Sequence, residues 1–85
     1  MQTLEYTIKD KVGIHARPAA ELVKNAGSFE SDIQITLYNK TANAKSILSV
    51  MQLGAKYGDT LSVTFEGVDE KVAKDSVEAF LKGNL

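Results

Sequence analysis

Three short segments of this chain carry an apolar residue at every second position, and they constrain the fold more than any other feature. The apolar residues are Leu4, Tyr6 and Ile8, then Ile33, Ile35 and Leu37, then Leu61, Val63 and Phe65. Alternation with polar residues is typical of a strand that buries one face and exposes the other. The chain is therefore predicted to build a sheet with one buried face and one solvated face.

Two amphipathic helices are predicted around these strands. The apolar stripe of the first, predicted over 16–26, is formed by Ala19, Leu22, Val23 and Ala26. The stripe of the last is formed by Ala73, Val77, Phe80 and Leu81. Asp69 is predicted to cap the last helix and Gly83 to end it, while Gly27 suits the left-handed position after the first.

A hairpin and a short helix are predicted between the second and last of these strands. Asn39-Lys40 is predicted as a tight turn, after which 41–44 pairs back as a short strand. Ser46 is a good N-cap for a helix over 47–53 that Gly54 closes. The element order is then β-α-β-β-α-β-α. Because each element has one apolar side, an antiparallel sheet with helices on one face is the simplest arrangement.

Length and composition exclude several classes of protein. A chain of 85 residues is predicted to form one domain over 1–85. With no cysteine and one histidine, it offers no disulfide, no thiol catalysis and no multi-histidine metal site. A net charge of -1 gives no general attraction to nucleic acid or to an anionic membrane. No apolar run approaches the roughly 20 residues of a membrane span, and 1–5 does not begin like a secretion signal. A reducing compartment is expected.

The segment Gly13-Ile14-His15-Ala16-Arg17-Pro18 contains the only histidine, arginine and proline of the chain. It lies where a strand pattern stops and a helix pattern begins, which places His15 at or beside the N-cap. The unpaired N–H groups of Ala16 and Arg17 and the positive end of the helix dipole would hold an anion attached to the ring. The dipole favours the neutral, nucleophilic imidazole, and Arg17 adds a permanent cation. This combination is what a transient phosphohistidine requires.

Simpler interpretations of these residues stay open on physical grounds alone. A histidine near a helix start can be a surface residue, and Arg17 can pair with Glu21 one turn further on. An unrelated hydrolase or metal enzyme is disfavoured, because no cysteine, second histidine or pair of carboxylates accompanies His15.

The stretch Gly-Ile-His-Ala-Arg-Pro-Ala at 13–19 resembles the active-site motif of the histidine-containing phosphocarrier (HPr) family of the bacterial sugar phosphotransferase system. The resemblance covers the whole chain, including 45–47, 53–54 and 57–59. It implies an α+β open-faced β-sandwich, a four-stranded antiparallel sheet with three helices on one face. It also implies a cytoplasmic, stoichiometric phosphoryl carrier without cofactor or metal, one transferase component of a system rather than a stand-alone enzyme.

By this resemblance His15 accepts phosphate at Nδ1 from phosphorylated enzyme I and passes it to IIA domains of sugar permeases. Arg17 and the backbone of Ala16 and Arg17 are implied to hold the phosphoryl group. The residues implied to contact partners are Ala16, Ala20, Lys24, Lys45, Ile47, Leu48 and Met51, with the two lysines at the rim. Val12 stands where many relatives carry a polar residue, so the ring is expected to be held by backbone groups alone. A monomer with small, short-lived interfaces is expected.

The short helix is apolar nearly all round. Val50 and Leu53 are predicted to lie on one side and Leu48 and Met51 on the other, with Ile47 between them. A helix this short on a single sheet hardly buries its whole circumference. An exposed side formed by Leu48 and Met51 is therefore predicted as a binding surface.

The segment Lys45-Ser46-Ile47 resembles the regulatory site of the family. In Gram-positive relatives the matching serine is phosphorylated by an HPr kinase/phosphorylase, which weakens docking to enzyme I and creates a form that binds a catabolite repressor. Serine is also a common N-cap and needs no other reason to be present. Enteric relatives have serine here without that regulation, and Ser49 stands where many Gram-positive relatives have glycine. Both interpretations of Ser46 stay open.

Two other functions within the same family stay open as well. One is a paralogue that serves a dedicated or regulatory phosphotransfer route. The other is a non-catalytic, HPr-like binding module. Relatives of the second kind replace the active histidine, so His15 together with Arg17 disfavours it.

Overall fold

The computed structural model describes all 85 residues and contains four strands and three helices in the predicted order. They are β1 (Gln2–Thr7), α1 (Ala16–Gly27), β2 (Asp32–Leu37), β3 (Lys40–Asn43), α2 (Ile47–Gln52), β4 (Thr60–Glu66) and α3 (Glu70–Asn84). The strands form one antiparallel sheet in the order β1-β4-β2-β3, and the helices cover one of its faces. The predicted fold class is thereby confirmed. None of the three helices combines the length and the apolar character needed to cross a membrane.

The core lies between the sheet and the helices, where the alternating apolar residues of the strands point. The fully buried side chains of the sheet include Ile33, Ile35, Leu61, Val63 and Phe65. Those of the helices include Leu22, Val50, Val77 and Leu81. The opposite face of the sheet is polar, and pairs of threonine hydroxyls bridge neighbouring strands across it. One buried face and one solvated face are what the period of two predicts.

The hairpin turn differs by one residue from its prediction. The two residues of the loop are Tyr38 and Asn39, not Asn39 and Lys40. Lys40 instead begins β3 and lies opposite Leu37. The turn therefore requires a positive φ, +55°, at Tyr38, a conformation that residue types alone did not suggest.

Two glycines do not end their helices as predicted. α1 continues through Gly27, and the Ser28 N–H closes its last turn by donating to the Asn25 carbonyl at 3.2 Å. Because the turn tightens without a left-handed residue, Gly27 keeps a helical backbone. α3 likewise continues through Gly83 to Asn84. Gly54 behaves as predicted and follows α2 with a φ of +65°.

Asp69 occupies the N-cap position of α3, but its side chain does not cap the helix. The carboxylate accepts hydrogen bonds from the N–H of Glu30 at 2.9 Å, from the N–H of Ser31 at 3.0 Å and from the Ser31 hydroxyl. Ser31 is fully buried, so its donors need a partner within the protein. Asp69 therefore connects the α1–β2 loop to the start of α3 instead of satisfying its own helix.

This connection makes stability depend on pH. The hydroxyl of Ser31 and the N–H of Glu30 lower the pKa of Asp69 below its usual value. Because the folded pKa lies below the unfolded one, the ionised carboxylate contributes stability that is lost as pH falls through the folded value. We expect Asp69→Asn to lower the urea midpoint at pH 7, and the difference from wild type to shrink progressively as the pH falls below about 4, the usual pKa of an aspartate. A difference that stays constant as the pH falls would contradict this role.

Candidate functional site

The β1–α1 loop, which ends at His15, is held by backbone contacts with the loop that follows α2. The Ile14 N–H donates to the Ala55 carbonyl at 3.1 Å, and the Gly13 N–H donates to the Asp10 carbonyl at 3.1 Å. Gly13 has a φ of +79°, and a Cβ placed there would lie 2.5 Å from the Ala55 carbonyl oxygen. Only glycine fits this close approach, and its absence of a Cβ lets the loop before His15 pack directly on the backbone of Ala55.

His15 is the N-cap residue of α1, as predicted, with an extended backbone of φ -125° and ψ -175°. Its side chain is exposed and makes no hydrogen bond with the rest of the chain. The expectation that backbone groups hold the ring is therefore wrong in this conformation, and Val12, 67% exposed, offers it no polar group either. The N–H groups of Ala16 and Arg17 begin α1 and have no acceptor within the chain. A nucleophilic ring and two unused donors therefore adjoin one another.

Arg17 lies two residues beyond His15, is exposed, and forms no ion pair. The pairing with Glu21 that the spacing allows is absent. Pro18 is buried in the first turn of α1, where a helix needs no N–H donor. The guanidinium is thus the one permanent cation at this helix start, and it remains available to an anion on the ring.

The outward side of α2 is apolar, as predicted. Leu48 is 65% exposed, while Ile47 and Met51 are each 42% exposed. Val50 and Leu53 point the other way and are buried in the core. Three exposed apolar side chains on one short helix form a compact apolar patch, which is a feature that binding surfaces share.

α1 packs against α2 and presents the other predicted contact residues. Ala16, Ala20 and Lys24 are all exposed. Lys45 is different, because it is half-buried and its Nζ donates to the Phe29 carbonyl at 2.7 Å. Lys45 is therefore a fixed structural donor as well as a charge, whereas the resemblance implied only a charged residue at the rim.

Ser46 is the N-cap of α2, as predicted. Its Oγ accepts a hydrogen bond from the Ser49 N–H at 3.4 Å, and the residue is half-buried. The capping role is thus observed directly.

Sequence reasoning gave no role to the residues that support the β1–α1 loop from behind. The Ile8 N–H donates to the Asp59 carbonyl at 2.9 Å, and the Gly58 N–H donates back to the Ile8 carbonyl at 2.9 Å. Contacts between backbone groups leave no signature in residue types. The one available signal was glycine, since Gly13 and Gly58 both mark positions of positive φ.

Comparison with known proteins agrees with this geometry. Residues 2–83 match the family described as the PTS HPr component phosphorylation site. The phosphocarrier protein HPr of Lysinibacillus sphaericus is 43% identical over 81 residues, which cover 95% of this chain and 92% of that protein. The structure of a histidine-containing phosphocarrier protein from Mycoplasma superposes with a TM-score of 0.94 at 35% identity, covering 96% of this chain and 93% of that one.

A further relative is a protein whose assembly has been described. The catabolite repression protein Crh of Bacillus subtilis superposes with a TM-score of 0.78 at 32% identity, covering 100% of this chain and 98% of that one. That protein is described as a dimer formed by swapping. The family match over nearly the whole chain, the shared fold and the motif that ends in Arg17-Pro18 all agree: this chain belongs to the HPr family of phosphocarriers of the phosphotransferase system.

Proposed function

We propose that this chain accepts a phosphoryl group on Nδ1 of His15 from phosphorylated enzyme I and delivers it to IIA domains of sugar permeases. The observation that carries the proposal is the arrangement at the start of α1. There an exposed imidazole without a hydrogen bond adjoins the unused N–H groups of Ala16 and Arg17 and an unpaired guanidinium. The family's carrier role makes phosphate the matching anion.

The chemistry follows from these groups. The lone pair of Nδ1 attacks phosphorus, a P–N bond forms, and the bond between phosphorus and the donor's carrier atom breaks, with its electron pair leaving on the donor. The phosphoryl oxygens then lie near the first-turn N–H groups of α1 and the positive end of its dipole. Because Arg17 is not committed to Glu21, its guanidinium can form two parallel hydrogen bonds to them. The same steps in reverse deliver the group to an acceptor.

The proposed docking surface combines the apolar side of α2 with the small residues of α1. It consists of Ala16, Ala20, Ile47, Leu48 and Met51, all of which are exposed. Small side chains beside the carrier atom let a partner approach the phosphoryl group closely. Lys24 is exposed and contributes mainly to the association rate with acidic partners, while Lys45 adds charge at a fixed position.

Incubation with phosphoenolpyruvate and purified enzyme I, followed by intact-mass measurement, tests this function. We expect one added phosphate that is lost in acid, as a phosphohistidine requires. A folded protein that gains no phosphate would instead be a binding module. Phosphate that is accepted from enzyme I but refused by IIA domains of sugar permeases would identify a paralogue of a dedicated route.

We also propose that Ser46 is a regulatory site, phosphorylated by an HPr kinase/phosphorylase to give a form that a catabolite repressor binds. Ser46 directly precedes Ile47 and Leu48 of the docking surface. A phosphate there adds nearly two negative charges at the edge of an apolar contact area. That charge would weaken docking to enzyme I without unfolding α2.

A charge-mimicking variant checks this placement. We expect Ser46→Asp to weaken enzyme I binding by about tenfold, or about 1.4 kcal/mol. The free energy of unfolding should change by less than about 0.5 kcal/mol, because aspartate caps a helix as well as serine does. Ser46→Asn is the matched control, since asparagine caps without adding charge. Calorimetric titration with enzyme I and urea unfolding measure the two effects. An unchanged affinity for Ser46→Asp, or an equal loss for Ser46→Asn, would refute the charge argument.

We propose further that the working form is a monomeric single domain in the cytoplasm. β1 pairs with β4 of the same chain over six residue pairs, so one copy completes its own sheet. Sedimentation velocity should show a single copy. A dimer would contradict the monomer and would agree with the assembly described for Crh.

A further inference from the structure

A tyrosine occupies the backbone position in the β2–β3 hairpin where glycine is the favoured residue. Tyr38 is the first of two loop residues, between the paired Leu37 and Lys40, and its φ is +55°. A two-residue hairpin loop with positive φ at its first position prefers glycine, because a Cβ is crowded there. Tyr38 is 80% exposed, so burial of its ring does not explain its presence.

The hydroxyl of this tyrosine reaches the loop between α2 and β4. It donates to Oδ1 of Asp59 at 2.9 Å. The other carboxylate oxygen accepts the Lys56 N–H at 2.9 Å, and the Asp59 N–H donates to the Lys56 carbonyl at 3.0 Å. A phenol is protonated at neutral pH and can therefore donate, and the hydrogen bond to Asp59 raises the pKa of Tyr38 further. One carboxylate therefore joins the hairpin to the turn at 56–59.

The loop between α2 and β4, which contains this turn, supports the β1–α1 loop at both of its ends. At the start, Ile8 exchanges two hydrogen bonds of 2.9 Å with the backbone of Gly58 and Asp59. At the other end, the Ile14 N–H donates to the Ala55 carbonyl at 3.1 Å. Asp59 therefore accepts a hydrogen bond from the Tyr38 hydroxyl with its carboxylate, and one from the Ile8 N–H with its backbone carbonyl.

We propose that Tyr38 and Asp59 form a latch that positions His15 for phosphoryl transfer. The inference rests on the proposed function, since it concerns how the carrier ring is held. Tyr38 touches neither the ring nor the phosphoryl group, so it is a positioning residue. The latch accounts for a tyrosine in a conformation that favours glycine, because strain of this kind persists where the side chain serves the site.

Two substitutions of the tyrosine and one matched control test the latch. Tyr38→Phe removes only the hydroxyl, and Tyr38→Gly removes the side chain while relieving the positive φ. Tyr57→Phe is the control, because Tyr57 lies in the supporting loop, is 64% exposed, and its hydroxyl has no hydrogen-bond partner. The readouts are kcat and KM of phosphoryl acceptance from phosphoenolpyruvate and enzyme I, amide exchange at Ile14 and Gly58, and the urea midpoint.

The expected results separate positioning from stability. Both Tyr38 variants should lower kcat by about 3- to 10-fold, with KM within about twofold because the docking surface is untouched. Amide exchange at Ile14 and Gly58 should accelerate by a similar factor. Tyr38→Gly should keep at least the wild-type urea midpoint, so its slower transfer cannot come from unfolding. Tyr57→Phe should match wild type in every readout.

Each contrary result overturns the latch in its own way. If the wild-type protein is phosphorylated on His15 and Tyr38→Phe has the same kcat, the hydroxyl does not position the ring. A raised KM with unchanged kcat assigns Tyr38 to docking instead. A lower urea midpoint for Tyr38→Gly than for wild type assigns Tyr38 a structural role. A wild-type protein that accepts no phosphate refutes the proposed function itself, and that failure is distinct because no variant is needed to see it.

Discussion

We expect His15→Ala to lose phosphoryl acceptance from enzyme I by at least about a thousandfold, because nothing else in the chain replaces the nucleophile. His15 supplies the only imidazole of the protein. Its side chain is exposed and makes no hydrogen bond with the rest of the chain, so its removal breaks no hydrogen bond and uncovers no buried group. The free energy of unfolding should therefore change by less than about 0.5 kcal/mol.

Intact-mass measurement after incubation with phosphoenolpyruvate and enzyme I checks the loss, and urea unfolding checks the fold. Arg17→Lys is the graded companion variant, because it keeps the charge but loses the fork that holds two phosphoryl oxygens. It should accept phosphate about tenfold more slowly than wild type. If His15→Ala still gains an acid-labile phosphate, the carrier atom lies elsewhere and the site assignment is refuted.

The largest effect on stability is expected from Gly13→Ala. A left-handed backbone costs a residue with a Cβ about 1–2 kcal/mol. The added Cβ would also lie 2.5 Å from the Ala55 carbonyl oxygen and 2.9 Å from the Lys56 Cα. Both neighbours are backbone atoms and cannot rotate away, so overpacking adds about 1–3 kcal/mol. We expect a total loss of about 2–5 kcal/mol, a large share of the about 5–15 kcal/mol that such domains have.

The same substitution at another glycine provides the control. Gly83 lies inside α3, and a Cβ there would meet nothing within 4 Å. Gly83→Ala should therefore stabilise the protein by about 0.4–1 kcal/mol. Urea unfolding of both variants under one condition measures the contrast. A loss below about 0.5 kcal/mol for Gly13→Ala would show that the two loops are not packed as closely as described.

Gly13→Ala also tests the link between packing and function. The clash pushes the β1–α1 loop away from Ala55, so the Ile14 hydrogen bond must lengthen. Folded molecules of this variant should therefore accept phosphate more slowly than wild type, whereas Gly83→Ala should not.

The order of the elements and the position of His15 followed from the sequence because the signals for both are local. The alternation of Leu61, Val63 and Phe65 with polar residues predicts a strand whatever its position in the sheet. The apolar stripe of a helix likewise predicts that helix without reference to its neighbours. The break between one pattern and the next sets the N-cap without reference to the rest of the fold. The exposure of Leu48 and Met51 was also predictable, since a six-residue helix on one sheet has only one side to bury.

Side chains whose partners are distant in the chain were not predictable in this way. Asp69 has the residue type and spacing of an N-cap, yet its carboxylate binds donors of Glu30 and Ser31 that lie 39 and 38 positions away. Lys45 resembles a solvated charge, yet it is fixed on the Phe29 carbonyl. Sequence patterns predict the contacts a side chain can make with residues nearby in the chain. The partners of Asp69 and Lys45 are distant in the chain and come close only in the folded protein.

By itself, then, the sequence determined the fold class, the element order and a single histidine at the start of a helix beside one arginine. The tertiary structure alone decided how the loop before that histidine is supported. Gly13 packs on Ala55, and Asp59 joins Tyr38 to the loop before His15. Most of these contacts are made by backbone atoms that every residue shares, and the one between side chains joins residues 21 positions apart. The segments meet only when the sheet is assembled, so no local pattern of residue types encodes the contacts.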